Sequence, residues 1–106
     1  MREGEQIDPR EPIRNEQILV GTSSTSLCKA HTGQNYRRDL VIRNISTNAV
    51  SVISISLNAL AQNNIGIVLK QNEAVTFSQD QGPIIFQGDV NAICADANGI
   101  ITLMER

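Results

Sequence analysis

The chain has 106 residues, a formal net charge of −2, 41% hydrophobic residues and 3% aromatic residues. This length predicts one domain, because domains commonly contain about 100–150 residues. The apolar runs are far shorter than the roughly 18 residues of a membrane-spanning helix, and the opening residues lack the apolar core of a secretory signal. Nor is there the dense basic stripe of nucleic-acid-binding proteins. We therefore expect a protein made in a cytoplasm, with no membrane or nucleic acid as partner.

Residues 1–17 differ in composition from the rest of the chain. They hold eight of the twenty charged residues, three positive and five negative, and so carry the whole net charge. Pro9 and Pro12 disfavour a helix, and Ile7 and Ile13 are the only large aliphatic residues in the segment. We predict an extended arm that either stays loose, as termini often do, or becomes ordered on a partner.

Residues 18–106 alternate apolar and polar residues with the period of two that is typical of half-buried β-strands. The alternating groups are Ile18/Val20, Leu40/Ile42, Ile53/Ile55/Leu57, Ile65/Ile67/Leu69, Val75/Phe77, Val90/Ala92/Cys94 and Ile101/Leu103. Polar, turn-forming clusters separate them at intervals of about ten residues, as in sandwiches and barrels. The pattern predicts seven or eight strands and an all-β fold, a small antiparallel β-sandwich or barrel that is jelly-roll-like and preceded by the arm.

Three local features are expected within this domain. The alternation changes phase between Val52 and Ile53, which predicts a β-bulge. Residues 57–62 form the one segment that could instead close a single helical turn. Asn98–Gly99 favours a two-residue type I′ turn, which would join the strands on either side of it into a hairpin.

The sequence contains few residues suited to catalysis. His31 is the only histidine, and the carboxylates of residues 18–106 are isolated, which is typical of solvated turn residues. Cys28 and His31 have the spacing of half a zinc site, but nothing near Cys94 repeats it. We expect no enzyme activity, no metal and no cofactor. The two cysteines are expected to be buried thiols, with a disulfide between them as the alternative.

Arg37, Arg38 and Arg43 form the one basic cluster of the domain. If Leu40 and Ile42 face the core, the parity of the strand places Arg38 on their side and Arg37 and Arg43 on the opposite face. Arg37 and Arg43 are therefore candidates for a face that binds an acidic partner, or else an ordinary solvent-facing pair.

Four segments together resemble a known group of proteins. Residues 37–46 match the pattern R-x-x-L-x-I-x-N-x-S, and segments 66–69, 88–93 and 99–105 follow in the same order as in that group. On these residues the chain resembles the small β-rich virion proteins of tailed bacteriophages, the capsid decoration or cement proteins. Relatives often have glycine at position 72, where asparagine still permits a left-handed turn.

The resemblance implies a structural role on the capsid surface of a virion that is assembled in the host cytoplasm. The partner would be the major capsid protein, bound across joints between subunits, because a protein that binds only the intact shell stabilises it by mass action. A homotrimer is implied, since a threefold axis offers each subunit an equivalent contact. The arm would bind the capsid through Ile7 and Ile13 as apolar anchors and Arg10 and Arg14 as charge partners.

Three other functions are open at this point. A tail, fibre or host-attachment module that binds a surface glycan would need exposed aromatic residues, and Tyr36 is nearly the only candidate, since we expect Phe77 and Phe86 to pack in the core or at its rim. An oligomerisation scaffold unrelated to viruses would share the strand pattern. An enzyme would need a cleft with clustered carboxylates or a metal, which the sequence does not predict.

Overall fold

The computed structural model describes residues 14–30, 37–78 and 86–106, and these form two four-stranded β-sheets packed together. The strands are β1 (Arg14–Val20), β2 (Thr25–Cys28), β3 (Asp39–Asn44), β4 (Ile53–Leu57), β5 (Ile67–Leu69), β6 (Ala74–Ser78), β7 (Val90–Cys94) and β8 (Gly99–Glu105). The all-β prediction is confirmed. In the described part of the chain, no helix is long and apolar enough to cross a membrane.

The order of the strands identifies the sandwich as a jelly roll. Sheet A has the order β1-β8-β3-β6 and sheet B the order β2-β7-β4-β5. The pairs β1/β8, β2/β7, β3/β6 and β4/β5 are nested and antiparallel, as expected when one long ribbon of paired strands is wound into two sheets. Consecutive strands β1 to β4 therefore alternate between the sheets.

The core between the sheets is aliphatic. Leu40 and Ile42 of sheet A and Ile53 and Ile55 of sheet B are completely buried, and burying each such side chain contributes roughly 1.5–3 kcal/mol. The remaining core members are Val20, Leu27, Cys28, Leu69, Val90, Ala92, Cys94, Ile101 and Leu103. Phe77 and Phe86 pack against this core, as predicted, whereas Tyr36 lies outside the described residues.

The first strand begins earlier than the apolar alternation indicates. Residues 14–17, predicted to belong to the arm, pair with β8 from Arg14 opposite Glu105 onward. Backbone hydrogen bonds of the ladder hold them although their side chains are polar. Ile7, Arg10 and Ile13 lie outside the described residues, so their predicted role in the arm stays a prediction.

Two of the predicted local features between residues 50 and 62 are wrong. The pairing of β4 with β7 is regular from Ile53, and the amide of Ala95 donates to the carbonyl oxygen of Val52 at 3.0 Å, so no bulge lies there. Val50 is exposed in the preceding turn, which explains the change of phase. Residues 57–62 form no helical turn: Leu57 ends β4, and Asn58 has a φ of 64°, outside the right-handed helical region.

Asn98–Gly99 does not form the predicted hairpin. The chain leaves β7 in sheet B and enters β8 in sheet A at Gly99, so the segment crosses between sheets, and neither residue has a positive φ. Glycine is needed at 99 because a Cβ atom there would collide with the carbonyl oxygen of Val20 and with Sγ of Cys94. Asn72, by contrast, has a φ of 68°, which confirms the left-handed turn expected there.

Candidate docking surface

Sheet A has an open outer face, formed by the alternate residues that point away from the core. Its centre consists of Val41 and Arg43 of β3, which pair with Met104 and Thr102 of β8 respectively. All four side chains are half or fully exposed. The face continues onto the edge strands and the ends of β3 and β8 through Asn15, Gln17, Leu19, Asp39, Ala74, Thr76, Ser78 and Ile100.

Arg43 is the cation at the centre of this face. Among the residues that the structure describes, no carboxylate pairs with it. The border of the face carries further charges: Arg38 is exposed there, and Asp39 pairs with Arg106, whose Nη2 lies 2.7 Å from its Oδ2. Arg43 is thus available for a bidentate pair with a carboxylate of a partner. Its predicted position on the outer face is confirmed, and its binding role stays a prediction.

Arg37, the other predicted member of the binding face, is completely buried. Its Nε donates to Oε2 of Glu105 at 2.8 Å. Its two Nη atoms donate to three carbonyl oxygens, those of Phe86 at 2.7 Å, Gly88 at 3.2 Å and Lys29 at 3.0 Å. The prediction that Arg37 lies on the outer face and binds a partner is therefore wrong, because the side chain is buried and its donors bond to groups inside the sandwich.

A β-bulge explains why the parity argument failed. The amides of Arg38 and Asp39 both donate to the carbonyl oxygen of Arg106, at 2.6 and 3.0 Å. Two residues opposite one shift the alternation by one position. Arg37 therefore faces inward together with Leu40, and Arg38 is exposed, the reverse of the prediction.

Glu105 completes this buried cluster, although a residue so near the chain end was expected to be solvated. It is 7% exposed, and Nη1 of Arg14 lies 3.4 Å from its Oε1. Arg14 also donates to the carbonyl oxygen of Leu27 at 2.7 Å and pairs with Glu16. The hydrogen bond to Arg14 lowers the pKa of the Glu16 carboxyl below its usual value. Arg14, predicted to be a charge partner for a capsid, thus makes these contacts within its own domain.

The two cysteines are buried free thiols, as predicted. Cys28 is paired with Val90, at the opposite end of β7 from Cys94, so the thiols are not side by side. Burial raises the pKa of the Cys28 thiol to about 11 and also raises that of Cys94. Neither is therefore a reactive thiolate at neutral pH.

Asn44 closes the opposite end of the sandwich from Arg37. Its Nδ2 donates to the carbonyl oxygens of Ser51 and Leu69, both at 2.9 Å, and its Oδ1 accepts from the amide of Ser46 at 3.0 Å. At the border of this network, Asp96 accepts hydrogen bonds from the Asn98 amide and the Ser51 hydroxyl, which lower the pKa of its carboxyl.

The motif that carried the sequence resemblance consists of buried residues. Its five defining members are Arg37, Leu40, Ile42, Asn44 and Ser46, each no more than 2% exposed. The pattern R-x-x-L-x-I-x-N-x-S therefore describes how one strand fills the core and closes both ends of the sandwich. It contains no residue of the outer face.

A shallow depression of about 390 Å³ lies at the Asn44 end, and we call it the end depression. Its lining is Leu19, Thr47, Asn48, Ala97, Asn98, Gly99 and Ile100, none of which is charged. Leu19 is 75% exposed and is paired with Ile100. Because these two residues also lie on the outer face of sheet A, the end depression is continuous with that face.

Sheet B differs from sheet A, because a loop of its own chain lies over its outer face. This loop, residues 58–66 between β4 and β5, is held by Ser54 Oγ, Asn91 Nδ2 and Ser24 Oγ, which bond to its backbone at 2.8, 2.7 and 2.9 Å. Ser54 is only 1% exposed although it points away from the core. The loop itself presents Leu60, 77% exposed, to solvent.

Within residues 14–30, 37–78 and 86–106, no group of three or more His, Cys, Asp or Glu residues could hold a metal ion. His31, which together with Cys28 has the spacing of half a zinc site, lies outside these ranges. No model of a known protein family matches the chain, and no curated protein matches it.

Proposed function

We propose that this chain is a structural protein of a tailed-bacteriophage virion that decorates and stabilises the capsid shell, and that the outer face of sheet A contacts the major capsid protein. The observation that carries the proposal is the open outer face of sheet A, whose centre combines Arg43 with the uncharged residues Val41, Thr102 and Met104. The resemblance of residues 37–46 and the three later segments to cement proteins points to the same role.

The composition of the face suits binding to a large protein surface. Val41, Met104 and Thr102 are desolvated at low cost, since none is charged, and they contribute apolar contact area. Arg43 adds one charge-assisted pair, which also fixes the orientation of the partner. A single contact of this kind is weak, but many copies on one shell stabilise the assembled state together.

The proposal retains the other expectations of the resemblance. A homotrimer would place three such faces around a threefold axis of the shell. The capsid-binding part of the arm would consist of the residues before Arg14, because Arg14 itself belongs to β1. Ile7, Arg10 and Ile13 are the residues of that segment predicted to bind the capsid.

The test is cosedimentation of the purified protein with capsids that lack it. Wild-type protein should pellet with the shells at saturable stoichiometry, and Arg43→Glu should weaken binding at least tenfold, because a charge-assisted hydrogen bond is worth about 1.5–3 kcal/mol. Lys29→Glu is the matched control: Lys29 is also exposed, but it follows β2 in the other sheet.

Each outcome is decisive for one part of the proposal. If the wild-type protein does not pellet with the capsids, the decoration function is refuted. If wild type binds and Arg43→Glu binds equally well, the function stands but the contact lies on another surface. Equal losses for Arg43→Glu and Lys29→Glu would indicate a general charge effect rather than a defined face.

A further inference from the structure

Asn98 stands directly before Gly99, where the chain crosses from sheet B to sheet A. Packing imposes the glycine, because a Cβ atom at this position would collide with the carbonyl oxygen of Val20 and with Sγ of Cys94. The fold therefore places a residue without a side chain immediately after an asparagine. The backbone nitrogen of such a residue is sterically unshielded on the side of the preceding carboxamide.

The carboxamide of Asn98 is exposed and makes no hydrogen bond within the part of the chain that the structure describes. Only the backbone amide of this residue donates, to Oδ1 of Asp96 at 3.0 Å. The carboxamides of Asn44, Asn58 and Asn91 are instead held by hydrogen bonds to backbone groups. The side chain of Asn98 can therefore rotate toward the backbone nitrogen that follows it, whereas these three are restrained.

We propose that Asn98 is a modification site, at which the folded protein converts this asparagine into aspartate and isoaspartate without an enzyme. The backbone nitrogen of Gly99 loses its proton to solvent base and attacks Cγ of Asn98. A new C–N bond closes a succinimide ring, and the side-chain nitrogen leaves as ammonia. Water then opens the ring at either carbonyl carbon. Because the attack is intramolecular, water is the only co-reactant that is needed.

Asn48 provides a comparison within the same molecule. It is also exposed and also lines the end depression, but it is followed by Ala49, whose Cβ atom hinders the approach of the backbone nitrogen. No other asparagine of the sequence is followed by glycine. The reaction is therefore expected at Asn98 in preference to Asn48, although the two side chains share one surface.

The product changes the surface on which it forms. No residue that lines the end depression is charged, so each conversion places one carboxylate there and makes the net charge of the chain more negative by one. Isoaspartate also inserts an additional backbone carbon immediately before β8, beside the pair of Gly99 with Val20. The modified fraction should rise with the age of the folded protein, and this expectation does not depend on the proposed capsid role.

The test is to incubate the folded protein at pH 5 and pH 8 and to follow each asparagine by peptide mass spectrometry. Conversion at pH 8 should be faster at Asn98 than at Asn48 by a factor on the order of ten. It should be slower at pH 5, because the attacking nitrogen must lose its proton. Chromatography should separate two products of equal mass, since the ring opens at two carbons. Asn98→Ser, which keeps Gly99, should form no acidic species on ion exchange.

A urea-unfolded sample is the control that separates the effect of the fold from the reactivity of the Asn98–Gly99 sequence. No conversion of the folded protein, over the time in which the unfolded chain converts, would overturn the proposal, because it would show that the fold prevents the attack. Equal rates at Asn98 and Asn48 would also overturn it, and so would aspartate as the sole product. Circular dichroism will verify that Asn98→Ser is folded, as expected for a change at an exposed side chain.

Discussion

The two ends of the sandwich are closed by different chemistry, although residues within or beside one strand supply the central group of each. At one end Arg37, just before β3, pairs with Glu105 in the interior and donates to three carbonyl oxygens. At the other end Asn44, the last residue of β3, bonds to Ser51, Leu69 and Ser46 without any charge.

The difference indicates where a partner can be accommodated. A buried charge must be fully paired to be tolerated, so the Arg37 end is committed to its internal contacts. An amide closes the Asn44 end at a lower desolvation cost, and the uncharged end depression lies there. The buried ion pair of Arg37 with Glu105 thus lies at the opposite end of the sandwich from the end depression.

The largest loss of stability is expected when the buried ion pair between Arg37 and Glu105 is broken. Arg37→Met removes the buried 2.8 Å ion pair with Glu105 and the donors of three carbonyl oxygens. We expect a loss of about 3–5 kcal/mol in the free energy of unfolding, as for other broken buried pairs. Urea denaturation followed by circular dichroism measures it. Arg37→Lys, which keeps the charge, should lose less, and a loss below about 1 kcal/mol for Arg37→Met would show that the cluster contributes little.

A smaller loss in the free energy of unfolding is expected at the end of the sandwich that Asn44 closes. Asn44→Ala leaves two carbonyl oxygens and one amide of the network without this partner, which should cost about 2–3 kcal/mol. Because asparagine does not titrate, the loss should be the same at pH 5 and pH 8. A loss that changes between these two pH values would contradict the description of this end as a neutral closure.

The smallest effect concerns Cys28, whose Sγ lies 3.8 Å from Arg14 Nη1 at the Arg37 end. Burial is the main cause that raises the pKa of its thiol from 9.0 to about 11, and Glu105 adds to the shift while Arg37 and Arg14 oppose it. The folded protein therefore keeps a proton that the unfolded chain loses near pH 9. The contribution of this thiol to the stability of the fold is therefore complete below pH 9, and it is lost as the pH rises through 11.

The expected loss across that interval is on the order of 2 kcal/mol, since one pKa unit corresponds to about 1.4 kcal/mol. Urea unfolding between pH 8 and pH 11 measures it, and Cys28→Ala should give a shallower decline. Cys94→Ala should also give a shallower decline, because burial raises the pKa of that thiol in the same direction. A decline of equal slope in wild type and Cys28→Ala would rule out this contribution.

Most strands could be predicted from the sequence because each buries one face, and that burial leaves a period of two. β2 was not among the alternating groups, since Thr25–Cys28 is short and its register shifts between Ser26 and Cys28. The hairpin at Asn98–Gly99 was predicted from local turn preferences. Tertiary packing overrode them, because in the jelly roll the chain must cross between sheets at this point.

By itself the sequence determined the all-β class, most strand positions, the buried thiols and the outward position of Arg43, because these follow from local periodicity and side-chain chemistry. Only the tertiary structure decided that the side chain of Arg37 is buried, since two contacts with residues distant in sequence turn it inward. The carbonyl oxygen of Arg106 creates the bulge that turns Arg37 inward, and Glu105, 68 residues along the chain, supplies the charge that makes its burial possible. Neither contact leaves a mark on the local pattern of residues 37–43.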